Sequence, residues 1–494
     1  REQLGNLCEC PQAMAEREGK QEVLLFPFMA QGHIIPFLAL ALELEQRKKY
    51  SITILNTSLN IKKLRSSIPP DSTISLVQIP FTPSDHGLPP NTENTDAIPY
   101  HLVIRLLQAS TTLQPAFKTL IQNILVQNQN HQLLIISDIF FGWTATVAKE
   151  LGVFHVVFGC GGFGLACYYS LWYNLPHRRV NSDEFSLPDF PEARVIHRTQ
   201  LPNNISEADG TDAWSVFQKS NLSQWVNSDG ILFNTVEEFD SVGLGYFKRK
   251  LGRPAWPIGP LLFSSGSGSR GKGGGINPKL CTEWLNTKPS KSVLFVCFGS
   301  MNTISASQMM ELGKALERCE KNFVWVVRPP IGFDINSEFR EEEWLPEGFV
   351  ERVEKSGKGL VVHDWAPQVE ILSHFAVSAF LSHCGWNSVL ESLSQGVPIL
   401  GWPMAAEQFY NCKLLEEEVG VCVEVARGKS SEVKYEDIVA KIELVMGETE
   451  KGIVMGKKAG DVRDMIRDAV KDEDGFKGSS VRAMDEFLSA AFDS

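Results

Sequence analysis

The sequence predicts an α/β protein made of two doubly wound halves. Three observations predict it. Short unbroken apolar runs alternate with helical stretches from Glu22 onward, which is the pattern of parallel strands buried on both faces. The chain has 494 residues, too long for one ordinary core. The alternation is broken once, by Ser264 to Gly275 (SSGSGSRGKGGG), a Gly/Ser run that cannot bury enough apolar surface to order itself. The expected division is a leader at 1–20, a first domain at 21–263, a linker at 264–275, a second domain at 276–475 and a closing helix at 476–494.

Arg1 to Lys20 is polar and unpatterned and reads as a disordered leader or cloning-derived segment, with Met14 as the natural start. Glu22 to Phe28 is the expected first strand, Met29 to His33 the loop after it, and Ile34 to Glu45 a helix that tolerates Pro36 near its first turn. His33 therefore stands where a strand gives way to a helix, at the mouth of a parallel sheet. Further strands are expected at Ser51 to Asn56, Ile74 to Ile79, Leu133 to Ser137 and Val153 to Phe158, with Asp138 closing the run at 133–137. His101 to Gln127 reads as one helix or two broken near Pro115, and Phe140 to Leu151 as a helix. Phe81 to Pro99 and Asn174 to Gly210 are Pro- and Asn-rich and read as loops of the kind that wall binding sites. Ile231 to Asn234 is a strand, and Ala255 to Gly259 leads out of the domain.

Beyond the linker, strands are expected at Ser292 to Phe298, Phe323 to Val327, Gly359 to His363, Ala376 to Leu381, Pro398 to Leu400 and Cys422 to Val425. Helices are expected at Ser305 to Cys319, Glu407 to Glu418, Tyr435 to Met446, Gly456 to Lys471 and Ser480 to Phe492.

Composition excludes some classes of function. A net charge of −12 argues against a nucleic-acid partner, which needs clustered Lys and Arg. It also means that an anionic substrate must be held by local donors. The ten cysteines include no Cys-x-x-Cys pair; most sit in apolar surroundings, as Cys297 and Cys422 do, and Cys8 and Cys10 fall in the excluded leader. Reduced thiols in a cytoplasmic protein are the expectation. Val153 to Tyr173 is the most membrane-like stretch, but His155 and the glycines at 159, 161, 162 and 164 interrupt it. It reads as a strand, a Gly-rich loop and a helix start, with no integral membrane contact. A monomer is expected.

The richest stretch is Trp365 to Gln408, WAPQVEILSHFAVSAFLSHCGWNSVLESLSQGVPILGWPMAAEQ. A buried strand ends on Ser382-His383, Cys384-Gly385-Trp386 turns the chain, and Asn387-Ser388 open a helix. A strand that runs through a Gly turn into a helix N-terminus is a ready anion site, because several backbone N–H groups there lack partners. This stretch closely resembles the donor-binding box of plant family 1 UDP-dependent glycosyltransferases: it opens with Trp, contains HCGWNS and closes on Gln. Weaker resemblance runs over nearly the whole chain.

The resemblance implies the GT-B fold, two Rossmann-like domains facing across a cleft, with the last helix crossing back onto the first domain. It implies metal-independent, inverting transfer of glucose from UDP-glucose to a hydroxyl of a small lipophilic acceptor such as a phenol, flavonoid or terpenoid. UDP-glucose is a co-substrate, and no cofactor is expected. His33 would be the general base, since an imidazole near its natural pKa suits proton removal at neutral pH. Asp138, which the family pairs with that position, would orient it. The alternative is that each residue merely caps a helix. His383, Gly385 and Ser388, with Ser300 from the neighbouring strand end, would hold the diphosphate.

Trp365 would stack on the uracil, with Ala366 and Gln368 at its edge; a core Trp under the turn is the alternative. Glu391 would hold the ribose hydroxyls, or else complete a Ser-x-x-Glu capping box with Ser388. Trp386 and Asn387 would touch the sugar or its phosphate, and Glu407 and Gln408 the sugar hydroxyls. Gly32, Phe140, Trp143, Phe158 and Phe163 are candidates for the acceptor side, against the plainer reading of core packing for the aromatics.

Two departures from the family pattern stand out. Glu407 replaces the common Asp, and Gly159-Cys160-Gly161-Gly162 stands where many relatives place a Ser or Thr; a thiol donates only weakly. No metal site is expected. The only run resembling Asp-x-Asp is Asp472-Glu473-Asp474, and no His/Cys cluster has zinc spacing. The rival readings are a nucleotide-sugar epimerase or hydrolase of the same fold, and a UDP-sugar-binding protein without catalysis. A dehydrogenase is disfavoured because Phe26 to His33 lacks Gly-x-Gly-x-x-Gly.

Overall fold

The structure, a computed structural model, describes residues 21–127, 132–262, 275–429 and 431–493. The leader at 1–20, with Cys8, Cys10 and Met14, and all of the Gly/Ser run but Gly275 lie outside the described residues.

The first sheet contains β1 (Gln21–Phe26), β2 (Tyr50–Asn56), β3 (Ser75–Gln78), β4 (Leu133–Asp138) and β5 (Phe154–Gly159). A small antiparallel hairpin of β6 (Glu184–Ser186) and β7 (Val195–His197) stands apart from it. β8 (Gly230–Phe233) and β9 (Ala255–Pro257) complete the sheet, whose spatial order is 3-2-1-4-5-8-9 with every neighbouring pair parallel. The second sheet contains β10 (Val293–Cys297), β11 (Asn322–Val327), β12 (Gly359–His363), β13 (Val377–Ser382), β14 (Ile399–Gly401) and β15 (Cys422–Glu424). Its order is 12-11-10-13-14-15, again all parallel.

Both sheets are buried on both faces, as unbroken apolar strands require. β1 sends Val23 and Leu25 into one core and Leu24 and Phe26 into another. β10 divides Leu294 and Val296 from Val293, Phe295 and Cys297 in the same way. Each sheet reverses its strand order once, between β1 and β4 and between β10 and β13. Chains leaving the carboxyl ends on either side of such a switch point diverge and open a crevice.

Several expectations shift. The helix after β1 begins at Gln31, so His33 lies in its first turn and not in the loop before it. The long helical stretch breaks into Val103–Ser110 and Gln114–Gln127, with Pro115 accommodated at the start of the second piece. Glu407 to Glu418 is α-helical only over Gln408–Lys413 and continues as a π-helix over Leu414–Val419. Helices at Ala213–Ser223 and Glu237–Leu251 are additions to the expected set. The closing helix, Ser479–Phe492, packs in the core of the first sheet. Ser480 Oγ donates to the Gly259 carbonyl, Arg47 pairs with Asp485 at 2.8 Å, and Phe487 and Phe492 meet Trp256 and Tyr50. Among the described residues no helix is long and apolar enough to cross a membrane.

His155, on β5, is buried among hydroxyls: Nε2 lies 2.8 Å from Ser137 Oγ and 3.0 Å from Thr144 Oγ1, and Nδ1 lies 3.0 Å from Ser228 Oγ. Burial pushes its pKa down to about 3. A histidine that stays neutral when folded contributes stability above its unfolded pKa of about 6.5, and that contribution is lost as pH falls through the window between the two values. Asp240, pushed up to about 6 by burial, acts with the opposite sign below pH 6, so total stability is a poor readout. The stability difference between the protein and its His155→Gln variant isolates the effect. It should shrink by about 1.4 kcal/mol per pH unit below pH 6.5, measured by denaturant unfolding.

Candidate active site

The two switch points face each other. At the first, His33 Nδ1 lies 2.8 Å from Asp138 Oδ2. The other carboxylate oxygen accepts the Phe140 N–H at 3.0 Å. An ionised carboxylate can only accept, so Nδ1 carries the proton and Nε2 presents a lone pair. Asp138 is 1% exposed and His33 28%, so the partner is sealed while the ring reaches the cleft. The ring is held between Phe28 and Phe140, at 5.7 and 5.2 Å between centroids. Burial would lower the His33 pKa, but the charge and hydrogen bond of Asp138, with the charge of Glu407, leave it above its ordinary value. The helix-capping alternative fails for His33, whose side chain is spent on Asp138. It holds in part for Asp138, which also caps the turn at Phe140.

At the second switch point, the turns after β10 and β13 enclose His383. A Cβ on Gly385 would lie 2.4 Å from His383 Nε2, and one on Gly299 would lie 2.7 Å from the same atom. Gly299 also has φ +78°, a left-handed conformation. The imidazole is thus wedged between two backbones that only glycine permits. Burial first, then the charges of Lys429 and Arg328, push its pKa down to about 4, so it is neutral at pH 7. Its buried Nδ1 has no partner. Gly385 is the N-cap of the helix Trp386–Leu393, and no side chain caps that end.

Arg328 clamps the two neighbouring strand ends. Its guanidinium donates to the Ser300 carbonyl after β10 and, at 2.9 and 2.7 Å, to the Asp364 carbonyl after β12. Sequence reasoning missed Arg328 and Lys429; the one available signal was an Arg ending the apolar run NFVWVV. It also missed Asp240, whose carboxylate caps the helix Gly162–Asn174 through the N–H groups of Gly162 and Phe163.

The other predicted site residues divide. Trp365 is partly exposed, and its carbonyl accepts the Ile276 N–H, which sets aside the core reading; Ala366 is buried beside it. Gln368 Nε2 donates to Ser388 Oγ at 2.9 Å and to Glu391 Oε2 at 2.6 Å. Both amide hydrogens are used, leaving only the carbonyl oxygen for a base edge. The capping-box reading of Ser388 and Glu391 is excluded, because the helix starts two residues before Ser388. Gln408 Oε1 accepts the N–H groups of Met404 and Ala405, tying the loop after β14. Glu407 accepts from Asn411 at 3.5 Å, and burial raises its pKa.

Trp386 opens the uncapped helix after Gly385, with its backbone N–H at the helix start. Its side chain belongs to the contact between the two halves: Nε1 donates to the Asn234 carbonyl at 2.7 Å, and a Cβ on Gly161 would lie 2.6 Å from the indole. Asn387 donates to the Gly32 carbonyl at 2.9 Å, which brings the turn after β13 against the turn bearing His33. Cys160 sits in this joint with its thiol toward the Gly161 carbonyl, and burial, then Glu407 and Asp240, raise its pKa. Trp143, Phe158 and Phe163 are packing residues, 4%, 3% and 2% exposed and surrounded by core rings or side chains. Of the candidate acceptor-side aromatics, Phe140 alone keeps a partly exposed face beside His33.

A family model described as UDP-glucoronosyl and UDP-glucosyl transferase matches residues 267–455. UDP-glycosyltransferase 92A1 of Arabidopsis thaliana is 53% identical over 97% of this chain and 99% of its own length. Crocetin glucosyltransferase 3 of Crocus sativus is 43% identical over 88% of this chain and 92% of its own. Among solved structures, Glycyrrhiza uralensis UGT73P12 complexed with glycyrrhetinic acid 3-O-monoglucuronide matches with a TM-score of 0.80 and 29% identity, over 96% of each chain. Medicago truncatula UGT71G1 complexed with UDP-glucose matches at 0.74 and 26%, over 97% of this chain and 100% of the other.

Proposed function

Because this chain belongs to the plant UDP-glycosyltransferases, enzymes of the GT-B fold, we propose that it transfers glucose from UDP-glucose to a hydroxyl of a small lipophilic acceptor, with inversion at the anomeric carbon. The observation that carries this reading is the opposition of the two switch points: an imidazole with a free Nε2, oriented by a sealed carboxylate, faces a donor-rich turn across a joint closed by Asn387 and Gly32.

In this reading His33 Nε2 takes the proton as the acceptor oxygen attacks the anomeric carbon. The bond to UDP breaks on the opposite face. Asp138 steadies the imidazolium that forms. The charge developing on the diphosphate meets the free N–H groups at the helix start after Gly385, the neutral His383, and the positive charges of Arg328 and Lys429. Trp365 offers a face for the base, Glu391 an acceptor for the ribose, and Glu407 an acceptor for sugar hydroxyls. Charge is met by these protein groups and not by a divalent ion; the acidic run at 472–474 lies on an exposed two-stranded turn. The buried free thiols fit a cytoplasmic setting.

The test is incubation with UDP-glucose and a panel of phenols, flavonoids and terpenoids, read by mass spectrometry. A product heavier by one hexosyl group, formed together with UDP, is expected. UDP release from donor alone at the same rate would indicate a hydrolase. Tight UDP binding without turnover on any acceptor would indicate a binding protein.

A further inference from the structure

Spacing along the chain hides a cluster that the fold assembles. Cys384 lies in the turn after β13, Cys412 in the helix Gln408–Lys413 and Cys422 in β15. All three are fully buried, and their sulfurs lie within 4.8 Å of one another, with Cys412 and Cys422 at 3.8 Å. They converge on Gly401, the last residue of β14. A Cβ there would lie 2.5, 3.0 and 3.1 Å from the sulfurs of Cys412, Cys422 and Cys384. A side chain there would collide with the sulfurs, so the glycine permits the three thiols to gather this closely against the strand.

We propose that Cys384, Cys412 and Cys422 form a binding site for a soft divalent d10 cation, taken in three-coordinate, all-sulfur form. Thiolates select soft ions, and metal–sulfur bonds of about 2.3 Å span a triangle of this size. A monovalent ion would leave two net negative charges on the complex, and Glu424 and Glu416 already act on these thiols. A divalent ion leaves one. Unbound thiols are protonated at neutral pH, and the metal takes the thiolate. Binding therefore releases three protons to solvent as three S–H bonds give way to three metal–sulfur bonds. Affinity rises steeply with pH.

Cys384 sits between His383 and Gly385. A metal pulling on its sulfur would shift the turn that encloses the imidazole, and so would inhibit. That consequence rests on the proposed transfer reaction; the binding does not.

The probe is Cd2+ added to the full-length, reduced protein, followed by ultraviolet thiolate-to-metal absorption, proton release and inductively coupled plasma mass spectrometry after desalting. The expected result is one tightly held Cd2+ per chain with three protons released. Affinity should fall at least 100-fold in Cys412→Ser and in Cys422→Ser and stay unchanged in Cys281→Ser, a buried thiol of the helix Pro278–Asn286. Circular dichroism reports whether the variants fold. If the serine variants do not fold, X-ray absorption at the cadmium edge of the unaltered protein decides, and three sulfurs and no other ligand are expected. No stoichiometric Cd2+, an equal loss in Cys281→Ser, or a shell with another sulfur count would overturn the proposal. UDP binding with and without Cd2+ then tests the inhibition separately.

Discussion

His33→Ala is expected to lower kcat by roughly 100- to 10,000-fold and to leave UDP affinity unchanged. His33 and the turn at 383–388, the base and the diphosphate site of the proposed reaction, sit on different halves of the molecule, so removing the imidazole leaves the donor groups at Gly385 and His383 in place. Asp138→Asn should cost a similar factor for a different reason. The amide nitrogen can donate to Nδ1, which moves the ring proton to Nε2 and blocks the lone pair that faces the acceptor. The pH profile carries a second signature. The His33 pKa is raised, so the rate should climb as pH rises through a value above 6.5 and then level off. Steady-state kinetics with varied acceptor, together with calorimetry of UDP binding, check each point. A wild-type rate in His33→Ala would remove the base from the mechanism.

Gly385→Ala should weaken UDP binding by about 100-fold or more, which corresponds to about 2.7 kcal/mol. The added methyl would sit 2.4 Å from His383 Nε2. The ring cannot swing away, since Gly299 crowds its other side and the residue is 8% exposed. Either the imidazole or the turn must move, and in the proposed reaction both meet the diphosphate. Gly299→Ala should behave alike, with a further cost of about 1–2 kcal/mol for a side chain at φ +78°. Titration calorimetry with UDP measures both. Turnover measured at saturating donor should be less affected than affinity, because His33 and Asp138 stand on the other half.

Much of the fold was legible because parallel strands buried on both faces read as plain apolar runs. Gly359 to His363 and Tyr435 to Met446 fall where they were expected. The helix Glu237–Leu251 was not legible. It contains Gly243 and Gly245 and is kinked at Asp240, so its apolar period is broken where it packs on the helix Gly162–Asn174. A Cβ on Gly243 would strike the backbone of Phe163. The run at 159–162, where many relatives place a Ser or Thr, reads in sequence as a lost hydrogen bond or one taken over by a neighbour, and Gly164 follows it. In the structure these glycines answer close approaches from distant residues, Trp386 against Gly161 and Asn411 against Gly164. Local pattern cannot report such contacts.

The site divided in the same way. The turn at 383–388 and the helix entry at His33 follow from local chemistry, a strand end feeding an uncapped helix. The commitment of Trp386 to Asn234, the clamp by Arg328 and the use of Gln368 to hold Ser388 and Glu391 arise from strand order and from the meeting of two halves. None of them leaves a trace in residue spacing.

The most direct measurement is the anomeric configuration of the product, read from the coupling of the sugar's anomeric proton by NMR immediately after reaction with UDP-α-glucose. In the proposed reaction the imidazole stands on one wall of the cleft and the diphosphate on the other, so the acceptor oxygen enters opposite the departing UDP. A β-glucoside is therefore expected, and an α-glucoside would contradict that geometry.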